Sequence, residues 1–529
     1  MTKLWEGLAV VDDMTGFGHI RDHLPGLPFY SDRALLTPVD IAVVMDDGED
    51  LEGYLAFLRR VRIGPKRVLR VKGPELFKGL DADPAAMEVL HQHLRHGGLL
   101  QVFCRTPGSE AFFERHRIEA KRVFSAPREI ADLMNDKARV RQVAREIGLD
   151  HVVLPHVAAH DPQVVMAAVK AYLAKPAREI EYVVVKRTNL AGGDGFMKLT
   201  REMAEAEVEE RVRAYLREHS WNRLTVTSHS ELMRRAGEAI TLDQAEIRDI
   251  GRDLDEGCQK IAAIIQPLLD ATPDERGYVI LRNRNVTGEA YVKFHRGRAF
   301  LPELRRFLLD HCRNEILVEA GIAGDDFSMQ VVVDHGNLRF LGPTKQIVDA
   351  EGRHMGNVMV RRFDASLERH GLRRIHKDVM ESVSRDLTAW SHTRVNGEYR
   401  GVEGYDFRTR SASGDVYLME CNARKTASTY IFGVLAQLED GRFREPLNLP
   451  TEERANWGIV MLNEVPTSAR SWGALAEKLG GLLFDGKCGA LPFNIRLMKL
   501  EKPTVGIVAV GMSLDKAYAV MRLAQRKLK

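Results

Sequence analysis

The sequence predicts a mixed α/β protein with more than one domain. Near the N-terminus, short apolar runs alternate with helix-like segments, a pattern typical of α/β domains; the runs are DIAVVMDD (40–47), KRVLRVKG (66–73) and LLQVFCRT (99–106). Further along, β-branched runs and turn signals predict additional strands and hairpins. The length of 529 residues exceeds what one hydrophobic core serves.

Composition excludes several classes of protein. The chain is 44% hydrophobic and 29% charged with a net charge of +3, so it is neither disordered nor a nucleic-acid binder by charge. Five scattered cysteines without CxxC spacing indicate neither a disulfide framework nor a zinc site. The first thirty residues lack the apolar stretch of a signal peptide, and no run suits a membrane span. We expect a cytoplasmic protein without nucleic-acid or membrane partners. If it self-associates, we expect a homodimer, because dimers are the commonest homo-oligomers.

The elements follow in order. The α/β pattern ends near residue 125, and SAPREIADLMNDKARVRQVAREIGLD (125–150) then predicts a helix with Ser125 as cap and Gly148 at its end. YVVVKRTN (182–189) is a buried strand, and the mainly polar stretch 201–275 is predicted to be a helical insertion. Strands return afterwards, the last two segments being hairpins with HGN and SASGD turns; they are 278–285, 289–295, 315–322, 327–343 and 403–422. A polar linker (439–453) precedes a final segment predicted as strand, helix, strand, strand, helix.

The second strand of the last hairpin carries a polar pair on one face. Glu420 and Asn422 are two residues apart, and antiparallel pairing across SASGD brings Asp406 beside them. Mg²⁺ prefers such oxygen ligands, few from protein and the rest from phosphate and water. The alternative is a hairpin with solvated polar ends.

Lys186 ends a buried strand, where an unpaired ammonium is costly, and GGDG (192–195) follows closely. Backbone N–H groups of a glycine-rich turn can surround an anion, and a nearby lysine can neutralise phosphate charge. The alternative is an ordinary hairpin turn beside an edge lysine.

EILVEAGIAGDDF (315–327) predicts a strand that breaks at Ala320-Gly321 and resumes at Phe327. Exposed backbone groups at such a break can bind the edge of an adenine, and Asp326 is placed to accept ribose hydroxyls. The alternative is an ordinary strand followed by a glycine-rich turn without a binding role.

Two other patterns have simpler interpretations. GLLFDGKC (481–488) approaches a phosphate-binding P-loop, but Cys488 replaces the hydroxyl residue and bulky apolar residues fill the loop. The pairs Asp12-Asp13 and Asp46-Asp47 are predicted to be loop or capping acids.

Taken in order over about residues 125 to 430, these motifs resemble the ATP-grasp superfamily of carboxylate-amine ligases. The order is NDK at a helix start, VVVK before GGDGF, VEAGI with a later acid, and then G-x-D followed by E-x-N-x-R. The flanking segments are similar to those of pheganomycin-type peptide ligases. Against the family's pattern, the stretch between GGDGF and VEAGI is long, and the hinge has small residues at Ala320-Gly321.

The resemblance implies roles for individual residues, all in binding ATP and Mg²⁺ as cofactors, with two metal ions expected. Metal ligands would be Asp406, Glu420 and Asn422, and the catalytic residues would be Arg424 and Lys186. The phosphates would be bound by Lys137 and Lys186 under a loop of Gly192, Gly193 and Gly195. The nucleoside would be held by Glu319, Ala320, Gly321, Ile322 and Asp326.

The resemblance also implies an activity and a domain plan. We expect an ADP-producing ligase that joins a small-molecule carboxylate to the amine of an amino acid or peptide through an acyl phosphate. The alternatives are an ATP-grasp enzyme with a non-amine acceptor, either thiol ligase or kinase, or an inactive nucleotide-binding regulatory protein. The implied plan is a pre-ATP-grasp domain (1–125), an ATP-grasp domain (126–438) with the insertion at about 201–275, and a small C-terminal domain (446–529).

Overall fold

The computed structural model describes much of the chain as two compact units. The first unit comprises residues 1–153 and 324–529, and the second comprises residues 154–323. The described residues are 4–14, 27–46, 51–73, 75–159, 161–177, 179–188, 196–219, 223–228, 240–242, 254–271, 278–284, 289–311, 315–349, 352–360, 371–395, 399–410, 413–439 and 457–529.

Strands and helices alternate along much of the chain, which confirms the predicted mixed α/β class. The strands are β1 (Leu8–Val11), β2 (Ile41–Met45), β3 (Arg67–Val71), β4 (Leu99–Val102), β5 (His156–Ala159), β6 (Tyr182–Arg187), β7 (Phe196–Thr200), β8 (Arg223–Ser228), β9 (Ile240–Leu242), β10 (Tyr278–Arg284), β11 (Glu289–His295), β12 (Ile316–Gly321), β13 (Asp325–Asp334), β14 (Asn337–Val348), β15 (His354–Val360), β16 (Arg400–Arg410), β17 (Asp415–Asn422), β18 (Gly458–Pro466), β19 (Gly489–Phe493) and β20 (Thr504–Gly511). The α-helices are Glu52–Arg60, Leu76–Asp81, Pro84–Arg95, Pro107–Arg115, Arg128–Met134, Lys137–Glu146, Pro162–Leu173, Glu205–His219, Leu254–Asp270, Leu301–His311, Arg374–Arg394, Ala427–Glu439, Trp472–Leu479 and Leu514–Leu528. Among the described residues, no helix is both long and apolar enough to cross a lipid bilayer.

The first unit begins with a parallel sheet in the order β3-β2-β1-β4. Its strands β2, β3 and β4 match the three predicted runs. Strand β1 is an addition to the predicted elements, and its four residues LAVV are all buried at the centre of the sheet. So short an apolar run shows no periodicity in the sequence. It becomes recognisable as a strand through its pairing with β2 on one side and β4 on the other.

The larger sheet of the first unit has the order β17-β16-β13-β14-β15-β18-β20-β19. Both predicted hairpins are present in it, β13 with β14 and β16 with β17. The β13–β14 turn has positive φ at His335 (48°) and Gly336 (80°), as a two-residue hairpin turn requires. The final segment has the predicted element order, and its strands β18 to β20 extend this same sheet.

The second unit contains two sheets, β5-β12-β6-β7 and β11-β10-β8-β9. The prediction that 201–275 is helical is therefore wrong in part, because β8 and β9 lie within it. In β8 the alternating Leu224 and Val226 are buried, a period-two pattern that the polar surroundings obscure in the sequence. Pairing with β10 then supplies its backbone hydrogen bonds.

The predicted single helix over 125–150 is also corrected. Two helices, Arg128–Met134 and Lys137–Glu146, replace it. The carboxylate of Asp136 accepts hydrogen bonds from the backbone N–H groups of Ala138 (2.9 Å) and Arg139 (3.0 Å). An aspartate that caps a new helix competes with continuation of the previous one.

Candidate active site

The polar residues of the last hairpin lie together at the end away from its turn. Asp406 on β16 is directly opposite Glu420 on β17, and Gly404 is opposite Asn422. The Asn422 side-chain amide donates hydrogen bonds to Asp406 Oδ2 (3.0 Å) and to Glu420 Oε1 (3.3 Å). The structure thus brings Asp406, Glu420 and Asn422 together as the sequence predicted.

A β-bulge shapes this end of the hairpin. Asp406 pairs with Glu420, whereas the next residue, Phe407, pairs with Leu418, so Met419 is the extra residue. A bulge bends its strand and redirects the adjacent side chains. Glu420 follows directly after this irregularity.

The two carboxylates repel each other in a poorly hydrated place. Burial, together with the charge of the neighbouring Glu420 carboxylate, raises the pKa of Asp406 to about 8. A hydrogen bond from Ser328 and the positive charge of Arg424 act in the opposite direction. A carboxylate pair held this close needs either a bound proton or a shared cation to offset its charge. The arrangement therefore fits a divalent metal ion on chemical grounds.

The donor set fits Mg²⁺ in particular. It offers two carboxylates and an amide. Larger metal-binding groups, with three or more His, Cys, Asp or Glu side chains, do not occur among the described residues. Mg²⁺ commonly takes one or two carboxylates and completes its shell with phosphate and water. As oriented, the oxygen of Asn422 accepts from Arg424, so ligation through that oxygen requires the amide to turn over.

Lys137 stands at the edge of the carboxylate pair. Its ammonium lies 3.1 Å from Glu420 Oε2, and it is the first residue of the helix that Asp136 caps. The fully buried Arg141 donates to the carbonyl oxygens of Lys137 (2.6 Å) and Met419 (2.6 Å). Arg141 thereby ties the start of this helix to the bulge that precedes Glu420.

A second tie comes from the residue before the cap. Asn135 Oδ1 accepts a hydrogen bond from the backbone N–H of Ala423 at 3.0 Å. Each residue of the NDK motif therefore contributes to the site, since Asn135 fixes the end of β17, Asp136 caps the helix, and Lys137 faces Glu420.

Arg424 continues the site beyond β17. It donates to Asn422 Oδ1 (2.5 Å) and to the carbonyl oxygen of Lys425 (3.1 Å), and its guanidinium lies 5.5 Å from the centre of the Phe103 ring. A cation thus lies next to the carboxylate pair. It also lies near Phe103, the residue that directly follows β4 of the parallel sheet.

Sequence reasoning missed Lys425 and assigned Asp12 wrongly. Asp12 is a buried partner and not a loop or capping acid, because its Oδ2 accepts from Lys425 Nζ (2.9 Å) and from the Tyr430 hydroxyl (2.9 Å). Asp13, by contrast, caps the helix Leu76–Asp81 through Leu76 N (2.9 Å), as predicted. The signal available in the sequence was the position of Asp12 just after an apolar run, which marks the carboxyl end of a parallel strand.

Asp326 lies on β13, across from Arg408 on β16. Both oxygens of its carboxylate accept from the Arg408 guanidinium, each at 2.7 Å. A ribose contact through Asp326 stays a prediction, and it would share this carboxylate with Arg408.

In the second unit, Lys186 is neutralised as its burial demands. Its ammonium donates to Glu319 Oε2 at 2.8 Å from the adjacent strand β12, and the Glu319 side chain is fully buried. The predicted roles of Lys186 toward phosphate and of Glu319 toward adenine both remain predictions.

The predicted strand break at Ala320-Gly321 is wrong, because both residues pair with β6, so that β12 runs to Gly321 and β13 begins at Asp325. Some backbone groups of this segment already have partners. Ala320 N donates to Pro155 O (2.9 Å), and Gly321 O accepts from Glu181 N (2.9 Å). Ile322 O accepts from the Tyr182 hydroxyl (2.9 Å), whose ring packs so closely that a Cβ on Gly321 would come within 2.2 Å of it. Adenine recognition by Ala320, Gly321 and Ile322 therefore stays a prediction for their remaining groups. Gly192, Gly193 and Gly195 lie outside the described residues.

The P-loop-like stretch does not surround an empty anion site. Asp485 Oδ1 accepts from the backbone N–H groups of Lys487 (2.8 Å) and Cys488 (2.9 Å), so an internal carboxylate occupies the donors. The sequence argument against a P-loop and this geometry agree.

Comparisons with known proteins give matches in structure only. No family model and no curated protein sequence matches this chain. A biotin carboxylase from Campylobacter jejuni, solved as a β,γ-ATP complex, overlaps with a TM-score of 0.47 at 11% identity, over 99% of this chain and 91% of the other. An L-amino acid ligase from Bacillus licheniformis overlaps with a TM-score of 0.44 at 13% identity, over 99% and 97%. A phosphoribosylamine–glycine ligase from Thermotoga maritima gives 0.43 at 14% identity, over 98% and 96%. Because these overlaps are loose, the function proposed below rests on the residues of this chain.

Proposed function

We propose that this protein is an ATP-grasp enzyme that joins a carboxylate to an amine with consumption of ATP. One observation carries the proposal: Asp406, Glu420 and Asn422 converge on one end of a hairpin and are flanked by the cations Lys137 and Arg424. Adjacent carboxylates that require a cation, bordered by positive side chains, suit magnesium and the phosphates of a nucleotide.

The metal requirement is specific in this proposal. Asp406 and Glu420 would hold Mg²⁺, with Asn422 added once its amide turns, and the predicted stoichiometry is two ions. Bound there, magnesium supplies neutralisation of phosphate charge. Lys137 and Lys186 would contact the α- and β-phosphates, the glycines 192, 193 and 195 would cover them, and the segment from Glu319 to Asp326 would hold the nucleoside.

The reaction then needs positioning more than a protein nucleophile. A substrate carboxylate oxygen attacks the γ-phosphorus of ATP, the bond to the bridging oxygen breaks, and ADP leaves with that electron pair. The amine nitrogen next attacks the acyl carbon, phosphate leaves with its oxygen, and the amine loses a proton. Arg424 and Lys137 offset the negative charge that develops in the first step.

The substrates in this proposal are an amino-acid-like carboxylate and the amine of an amino acid or peptide. The support is the resemblance of the flanking segments to pheganomycin-type peptide ligases, which implies the domain plan of 1–125, 126–438 and 446–529. Fold-level analogy alone does not identify a substrate, so product analysis must supply it.

The experiment is incubation of the full chain with Mg-ATP and a panel of amino acids and peptides, following ADP release and product mass. We expect ADP release that requires both a carboxylate and an amine. A phosphorylated product without an amine would identify a kinase, and a thioester would identify a thiol ligase. Absence of ADP release with every combination would favour the inactive nucleotide-binding protein.

The matched variants are Glu420→Gln and Glu381→Gln. Glu420→Gln should keep part of the ATP binding and lose most turnover, because one metal ligand loses its charge. Glu381, which pairs with Lys377 on the helix Arg374–Arg394, is the control and should leave turnover unchanged. Full turnover in Glu420→Gln would remove the metal assignment.

A further inference from the structure

Arg33 is a buried cation for which the described residues supply no acidic partner. It lies on the 3-10 helical segment Leu27–Leu36 and is 6% exposed. The adjacent Asp32 does not serve it, because both oxygens of Asp32 accept from the buried Arg496 guanidinium. Burying an unpaired charge is costly, so such a group needs a reason to be retained.

The other buried cations of the first unit have clear partners. Lys137 and Lys425 face carboxylates, and Arg141 donates to two backbone carbonyls. Nε of Arg33 is buried without a hydrogen-bond partner among the described residues, as is Nε of Arg141, but Arg33 lacks the short bonds to carbonyl oxygens that Arg141 makes, and its Nη2 reaches Asn463 Oδ1 at 3.4 Å.

Aromatic rings hold the Arg33 guanidinium in place. Its central carbon lies 4.5 Å from the ring centre of Tyr30, 5.9 Å from that of Tyr430 and 6.0 Å from that of Phe493. Such rings stabilise and orient a cation without using up its hydrogen-bond donors. The fork of donors is thus oriented and not neutralised.

The cluster is continuous with the candidate active site. The Tyr430 ring, which Arg33 faces, also lies 4.6 Å from the ammonium of Lys425, the residue after Arg424. His354 Nδ1 is 3.3 Å from the Asn463 amide nitrogen, and the charges of both Arg33 and Glu420 act on the pKa of His354. The imidazole therefore lies within electrostatic range of both groups.

We propose that Arg33 binds a carboxylate of the amine-bearing substrate, the one that is not activated by ATP. A guanidinium presents paired N–H donors that match a carboxylate in geometry and charge. The charge balance favours a carboxylate over a phosphate dianion: burial lowers the pKa of His354, so it is neutral near pH 7, and Lys425 is already paired with Asp12. This inference rests on the proposed function and specifies its acceptor as a free amino acid or a peptide with a free C-terminus.

The test compares acids with their carboxamides on the full chain. The probes are glycine, L-alanine, L-leucine, glycylglycine and L-alanyl-L-alanine, each with its C-terminal amide, and phosphoethanolamine as a phosphate-bearing amine. With Mg-ATP and the carboxylate panel, we expect the wild type to prefer acids over amides by at least about tenfold in kcat/KM. Equal use of both, or preference for phosphoethanolamine, would overturn the proposal without any variant being needed.

Three variants assign the effect to Arg33. Arg33→Met should raise KM for the acids at least about tenfold while leaving KM for the amides and for Mg-ATP within about twofold, and Arg33→Lys should restore part of the loss. Arg60→Met is the control, because Arg60 also stacks on a ring, that of Phe57 at 5.6 Å, but is exposed. Equal losses for acids and amides in Arg33→Met would indicate a structural role and contradict the inference.

A binding measurement separates this inference from the proposed function. Calorimetric titration of the same acids and amides into protein with Mg-ADP needs no turnover. If acids bind and Arg33→Met abolishes that binding while no amine stimulates ADP release, the carboxylate site stands and the ligase proposal fails. If no acid binds the wild type at millimolar concentration, the Arg33 inference is wrong whatever the turnover shows.

Discussion

Replacing Asp12 by asparagine tests whether the buried ion pair organises the first unit. Asp12 and Lys425 lie 2.9 Å apart with side chains 0% and 1% exposed, and they join the end of β1 to the residues that follow β17. The asparagine amide oxygen can still accept from the Tyr430 hydroxyl, so the substitution removes chiefly the charge. The Lys425 ammonium is then left buried without its anion.

The expected cost is large because one charge remains uncompensated. Breaking a buried pair by removing one partner costs about 3–5 kcal/mol. The double variant Asp12→Asn with Lys425→Met removes both charges, so it should lose less than the sum of the two single variants. Burial already lowers the pKa of Lys425 against the opposing effect of Asp12. With a folded-state pKa below that of the unfolded chain, Lys425 favours release of its proton on folding, so the cost of Asp12→Asn should shrink as pH rises toward about 10.

The assay is chemical denaturation with each transition fitted separately, because two compact units need not unfold together. Glu381→Gln is the control: it breaks a partly exposed pair with Lys377 within one helix and should cost about 0.5 kcal/mol or less. A cost below about 1 kcal/mol for Asp12→Asn, or strict additivity in the double variant, would refute the reasoning.

Two further predictions concern Lys137 and Lys186, the lysines proposed to contact phosphate. Asp136→Ala should destabilise the protein by about 1 kcal/mol through loss of the helix cap, and it should raise KM for ATP because Lys137 begins that helix. The control is Asp161→Ala, which removes a similar cap at Gln163 N. A similar rise in KM in the control would contradict this explanation. Glu319→Gln removes the buried carboxylate that Lys186 contacts, so the unfolding free energy of the second unit should fall by about 3 kcal/mol in denaturation, and a fall below about 1 kcal/mol would show that the pair is not needed.

Local pattern was enough to predict the hairpin and the polar pair on its second strand, because alternation places Glu420 and Asn422 on one face of β17. It did not predict the bulge at Met419, without which the regular register would set Asp406 opposite Met419 instead of Glu420. The same argument found the strand that ends with Lys186 and the need for a counterion, though not that Glu319 supplies it.

Local pattern failed where pairing partners decide the structure. Strand β1 is four residues long, and β8 lies in a polar stretch, so each is recognisable only from the strand beside it. The helix predicted over 125–150 is divided because Asp136 caps a second helix, a choice that propensity alone does not make.

By itself, the sequence determined the α/β class, the order of most elements and the polar pair Glu420 and Asn422 on one face of the last hairpin's second strand. Only the tertiary structure decided which charges meet: Asp12 and Lys425 are 413 positions apart, and Arg33 lies against rings from Tyr430 and Phe493. The physical reason is range. Side-chain periodicity and capping act over a few residues, whereas burial of a charge depends on which distant segments pack around it.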